Sequence, residues 1–151
     1  MIFFSHDVWI STRETSVSLV LYLRANSARK DAQGKRRNEA EMNKIFWAAD
    51  STVQTNDYTT YPQTGIGQVF PLFVKPEYQV CNHAKNGRST KSFMDEGRLK
   101  AIEEKIGAGD FLFIQFGHND EKKEDPTRYT EPFSTYMENL ETFIRVAKDH
   151  S

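Results

Sequence analysis

A chain of 151 residues with 38% hydrophobic and 27% charged side chains has ordinary globular composition and is long enough for one domain with its own core. A formal net charge of -1 argues against a nucleic-acid binder, which carries a strong basic excess, and no apolar run approaches the ~18 residues of a membrane-spanning helix. Cys81 is the single cysteine, so no internal disulfide is available and nothing points to an oxidising compartment.

Ser16 to Leu23 (SVSLVLYL) carries the β-branched and aromatic content of one strand. The opening residues are Phe-rich and acidic at Asp7, and the basic residues follow the apolar stretch, so no signal peptide is recognised and a cytoplasmic protein is expected. From Asn26 to Glu41 nearly every side chain is polar or charged, including Arg29-Lys30 and Lys35-Arg36-Arg37, a composition that builds no core. Residues 1–41 therefore read as an N-terminal extension or disordered arm, with Met42 a candidate natural start, and residues 42–151 as the domain.

Ile45 to Ala49 is a short apolar run cut off by Asp50, the pattern of a buried parallel strand that feeds a turn and a helix start. Tyr78 to Cys81 follows the Pro71 to Pro76 break as a second strand, with Cys81 as a small buried apolar side chain. Met94, Leu99, Ile102 and Ile106 recur at roughly helical spacing, and Phe111 to Phe116 follows Gly107 and Gly109 as a third strand. Pro132 suits the first turn of a helix, after which Phe133, Tyr136, Met137, Leu140, Phe143, Ile144 and Ala147 hold the helical period for about four turns. The alternation from Met42 is βαβαβα, half of a doubly wound α/β sheet.

Each of these strands ends in a polar cluster: Asp50-Ser51-Thr52, Asn86-Gly87-Arg88-Ser89, and Gly117-His118-Asn119-Asp120. In an open α/β sheet the chemistry gathers at the carboxyl ends of the strands, so the three clusters are expected to converge on one crevice. A serine, a glycine amide and an asparagine amide there are parts of an acyl-transfer site, a nucleophile with two donors for an oxyanion. Taken singly, each has a plainer reading. Asp-Ser-Thr is a common helix cap, Asn-Gly a common turn, and an isolated Asn119 a loop-forming side chain.

The clusters extend into longer blocks: Asp50-Ser51-Thr52-Val53-Gln54, Tyr61-Pro62-Gln63-Thr64-Gly65-Ile66-Gly67-Gln68, Asn82-His83-Ala84-Lys85-Asn86-Gly87-Arg88-Ser89 and Ile114-Gln115-Phe116-Gly117-His118-Asn119-Asp120. In this order they resemble the SGNH (GDSL-type) hydrolases, and within them the rhamnogalacturonan acetylesterase group, which removes acetyl groups from pectin sugars. The resemblance runs over roughly residues 44–148. It implies the N-terminal part of a three-layer, flavodoxin-like α/β fold with a parallel sheet whose first strand lies between the second and third. It implies Ser51 as nucleophile, with its own amide helping to bind the oxyanion, Gly87 as a second backbone donor, and Asn119 as a third donor through its side-chain amide. Asp50 is not the triad acid of that pattern, and an Asx-type turn that shapes the nucleophile loop is its expected role. No metal or organic cofactor is implied. The implied partner is an acetylated carbohydrate, with no nucleic acid and no membrane.

The family pattern places its catalytic histidine three residues after an aspartate, in an Asp-x-x-His block near the C-terminus. His83, His118 and His150 stand in no such block, so His83 and His118 are expected to structure loops and the base to lie in sequence missing from this chain. Ala49 stands where the pattern usually has glycine, and Ile66 where tryptophan is often found between two glycines. With later strands missing, Phe111 to Phe116 is expected to present an apolar open edge and to drive self-association. Two other classes stay open. One is a non-catalytic carbohydrate-binding or interaction fragment, which the missing block favours. The other is a metal-dependent phosphoesterase, whose Gly-Asn-His order is transposed here and whose further histidines are missing.

Overall fold

The computed structural model describes residues 42–150 in full and the backbone strands at 3–4, 8–13 and 16–24. Among these residues one six-stranded sheet forms from β1 (Phe3–Phe4), β2 (Val8–Arg13), β3 (Ser16–Arg24), β4 (Asn43–Ala49), β5 (Tyr78–Asn82) and β6 (Phe111–Phe116), in the order β1-β2-β3-β6-β4-β5. Four helices accompany it: α1 (Ile66–Val69), α2 (Thr90–Asp95), α3 (Arg98–Glu103) and α4 (Thr135–Asp149).

The parallel part is β5-β4-β6, so the first strand of the domain lies between the second and third, as expected from the sequence. Ile45 of β4 faces Val80 on one side and Phe111 on the other. A central parallel strand is covered on both faces, which is why Ile45 to Ala49 is apolar without alternation. Phe46 and Ala48 join Leu112, Ile114 and Phe116 on one face, packed against Phe93 of α2, Leu99 and Ile102 of α3, and Leu140 and Phe143 of α4. Trp47 and Ala49 point to the other face and pack with Val53, Ala84, Phe70 and Phe113. There Trp47 stacks on Phe113 at a centroid distance of 4.8 Å and meets Phe70 edge-on at 5.4 Å. The result is an α/β arrangement with helices α2 to α4 on one layer and the chain from Val53 to Phe73 on the other.

Several local expectations are corrected. The helical period from Met94 to Ile106 is split between α2 and α3, because Gly97 takes a left-handed φ of 71° and ends the first helix. The last helix begins at Thr135, so Pro132 lies before it and Phe133 is exposed instead of joining its apolar stripe. No helix follows Asp50 directly; a turn does, and Ser51 caps nothing. Cys81 is half-buried against the core, where burial pushes its thiol pKa up. The edge of β6 is not open: β3 pairs with it antiparallel, Leu19 opposite Phe116 and Leu23 opposite Leu112. The strand read at Ser16 to Leu23 is thus present and lies inside the stretch read as an extension or arm. The polar stretch from Asn26 to Glu41 lies outside the described residues.

Candidate active site

The parallel pairing of β4 and β5 continues past the strands, with the His83 amide donating to the Trp47 carbonyl and the Lys85 amide to the Ala49 carbonyl, both at 3.0 Å. This lays the loop at 85–88 beside the turn at 50–52. On the other side of β4, Ala49 is in register with Gln115, and the Thr52 hydroxyl lies 2.7 Å from Gln115 Oε1. The Asn119 side chain closes the circle by donating from Nδ2 to the Arg88 carbonyl at 3.1 Å. Ser51, Gly87 and Asn119 therefore stand on three loops that are hydrogen-bonded to one another around the carboxyl ends of β4, β5 and β6.

Each loop has a local reason for its shape. Asp50 Oδ1 accepts from the Thr52 amide at 2.9 Å, the Asx turn expected of it, and Ser51 is the residue carried at the bend. The Gln54 Oε1 accepts from the Asn86 amide and ties the first loop to the second. Asn82 Nδ2 reinforces that tie, donating to the Val53 carbonyl at 2.9 Å and to Thr55 Oγ1 at 3.0 Å. Gly87 has φ 75°, a conformation that costs glycine little, and a Cβ there would come 3.3 Å from Arg128 Nη1. Ser89 caps α2 in a capping box with Ser92, and Asp120 Oδ1 accepts from the Thr90 amide at 2.9 Å and the Thr130 hydroxyl at 3.0 Å. Asp120 thereby fastens the third loop to the start of α2.

Donors remain at the centre. Neither the Ser51 amide nor the Gly87 amide is spent on a hydrogen bond to another described residue. Asn119 is 2% exposed, its oxygen accepts from Lys122 Nζ at 3.0 Å, and its amide nitrogen uses one of two hydrogens on Arg88, leaving the second.

The electrostatics around this centre are set by buried carboxyls. Burial raises the Asp50 pKa, opposed by the Thr52 hydrogen bonds and by the charges of His118 and Lys122. Burial likewise pushes Asp120 up to about 6 against the donors from Thr90 and Thr130. Asp50 Oδ2 and Asp120 Oδ2 are both buried without a hydrogen-bond partner among the described residues.

The histidines are elsewhere engaged. His118 faces outward, 3.4 Å from Glu121, and His83 rests its ring 5.9 Å from that of Phe46, where burial first and then Lys105 and Arg98 lower its pKa. Neither hydrogen-bonds Ser51. Lys122 was not singled out from the sequence, and Gln54, Asn82 and Gln115 lay in the quoted blocks with no role assigned to them. The partners Asn86, Val53 and Thr52 of Gln54, Asn82 and Gln115 lie 29 to 63 residues away, and no local pattern announces such a contact. Among the described residues no group of three or more His, Cys, Asp or Glu side chains is placed to hold a metal ion, and no helix is long and apolar enough to cross a membrane.

No protein-family model matches the chain. It is, however, 47% identical over 107 residues to the probable rhamnogalacturonan acetylesterase YesY of Bacillus subtilis (strain 168), covering 71% of this chain and 49% of that protein. It is also 47% identical over 105 residues to the rhamnogalacturonan acetylesterase RhgT of the same organism, covering 70% of this chain and 44% of that one. The crystal structure of the Bacillus subtilis protein YxiM superimposes with a TM-score of 0.64 at 28% identity, over 78% of this chain and 32% of that chain. The chain belongs to the SGNH hydrolase family. This SGNH hydrolase chain spans about half the length of the YesY and RhgT proteins it matches.

Proposed function

We propose that this SGNH hydrolase chain carries the nucleophile and oxyanion-binding part of a serine esterase that removes acetyl groups from rhamnogalacturonan-type pectic carbohydrate. What supports it most is the meeting of Ser51 with two uncommitted backbone amides and a buried, oriented Asn119 on three interlocked loops. In this reading Ser51 Oγ attacks the acetyl carbonyl and the sugar hydroxyl leaves. The Ser51 and Gly87 amides and the second Nδ2 hydrogen of Asn119 hold the oxyanion, and water then releases acetate and restores the serine. The general base is the histidine of an Asp-x-x-His block, a pattern that residues 1–151 do not contain. The names of YesY and RhgT support the choice of substrate.

Acetate release from acetylated rhamnogalacturonan by the full-length protein tests the reading. Ser51→Ala is expected to lower kcat by at least ~10³-fold, because only binding and the oxyanion donors then remain. Turnover that survives Ser51→Ala would overturn it.

A further inference from the structure

Beside Gly87 opens a cleft of about 310 Å³, at the lower end of the ~300–1,000 Å³ typical of small-ligand sites. Gly87, Arg88, Ser92, Glu96, Thr127 and Arg128 line it. We propose that this cleft is a subsite for the carboxylate of a uronic-acid unit of the substrate, held by the Arg128 guanidinium. The proposal deepens the esterase reading above and rests on it for the placement of the reacting ester.

Of the two arginines, Arg88 is already committed. It pairs with Glu96 at 2.7 Å and donates to the Asn86 carbonyl at 2.8 Å. Glu96 is further neutralised by Arg98 at 2.7 Å, and Asp95, which also lines the cleft, by Lys91, so both acidic groups of the lining already have cationic partners. Arg128 differs. Its Nε is anchored on Asp125 at 3.0 Å, whereas Nη1 and Nη2 find no acceptor among the described residues. They lie over the Cα of Gly87, with Nη1 3.3 Å from where a Cβ would stand, so the missing side chain keeps the approach clear. A guanidinium held by Nε with both terminal nitrogens free presents two donors side by side, which pair bidentately with a carboxylate and far less strongly with a neutral hydroxymethyl group. Because Gly87 also offers its amide to the reacting carbonyl in the esterase reading, the subsite lies beside the chemistry. Rhamnogalacturonan, the polymer in the names of YesY and RhgT, contains uronate units.

The test is binding, measured on the 151-residue chain. Digalacturonate and the uncharged galactobiose are titrated while the backbone amide of Gly87 and the Nε–H of Arg128 are followed by nitrogen–proton NMR. Digalacturonate is expected to shift both signals saturably, with affinity falling as salt rises, and galactobiose to shift neither. Arg128→Gln is expected to weaken digalacturonate at least about tenfold, and Arg128→Lys, which keeps the charge but not the paired donors, to fall between the two. Equal binding of the two sugars, or Arg128→Lys and Arg128→Gln proteins that bind digalacturonate like the parent, would overturn the proposal. Acetate release plays no part in this readout. A failed Ser51→Ala experiment therefore sinks the esterase reading and the placement of the ester but leaves carboxylate binding at Arg128, and loss of the uronate preference sinks the subsite alone.

Discussion

A side-chain amide donates in one direction only while something holds its oxygen end. In Asn119 that hold comes from Lys122, whose ammonium accounts for the orientation in which Nδ2 meets the Arg88 carbonyl. Lys122 thus acts as a positioning residue in the esterase reading. Lys122→Met in the full-length protein is expected to lower kcat about fivefold to tenfold at unchanged KM, the scale of one charge-assisted hydrogen bond. An unchanged kcat would show that the Arg88 carbonyl orients the amide alone. Asp120 makes a different prediction. Its folded pKa of about 6 lies above its ordinary 3.8, so the folded state holds a proton that the unfolded chain releases. The associated stability is complete below pH ~4 and is lost as the pH rises through ~6. Asp120→Asn keeps the acceptor for Thr90 and Thr130 but cannot ionise. Urea denaturation from pH 4 to 7 is expected to show the parent losing ~1–3 kcal/mol more than the variant. Asp50, raised in the same direction, keeps some slope in both proteins.

At the scale of elements, short α1 matters more than its four residues suggest. Its amides at Ile66 and Gly67 donate to the Thr52 and Val53 carbonyls at 2.8 and 3.1 Å, so it braces the nucleophile loop from behind. The approach is close: a Cβ on Gly67 would stand 2.4 Å from Asn82 Nδ2 and 2.5 Å from the Val53 carbonyl oxygen. The backbone carbonyl cannot yield as a flexible side chain does. Gly67→Ala is therefore expected to destabilise the fold by ~1–3 kcal/mol in chemical denaturation, in the range of overpacking. Asn82 moves with it, and the tie between the first two loops loosens. A neutral outcome would mean that α1 is free to shift away. The exposed Ile66 between the two glycines has no such constraint, which agrees with its departure from the usual tryptophan.

At the scale of the molecule, the sheet is finished by a strand that runs the other way. β3 pairs along the length of β6, and β2 and β1 add to it antiparallel. An unpaired β6 would offer free amides and carbonyls along FLFIQF, a template for another chain. Removing residues 1–41 is therefore expected to lower the melting temperature and to produce oligomers in sedimentation velocity, while the whole chain stays monomeric by this edge. A truncated chain that melts and sediments like the parent would show that the β3 ladder contributes nothing in solution.

The parallel strands were legible because burial on both faces demands continuous apolar runs, and Ile45 to Ala49 and Phe111 to Phe116 are such runs, whereas their order came from the family resemblance. That the loops of Ser51, Gly87 and Asn119 would meet was legible for a related reason, since each follows a strand end, and parallel strands deliver their ends to one side. Helix limits were less so. Periodicity says that Met94 and Ile106 lie on one apolar side, but only the backbone of Gly97 turns that stretch into two helices. What tertiary structure alone decided is contact across sequence distance. Asn119 on the Arg88 carbonyl, Gln54 on the Asn86 amide, Arg128 over Gly87 and β3 on β6 depend on chain segments that meet only after the sheet has formed. A polar side chain carries no mark of its partner in the linear order, because the hydrogen bond it makes is chosen by where the packed core leaves an unpaired donor or acceptor.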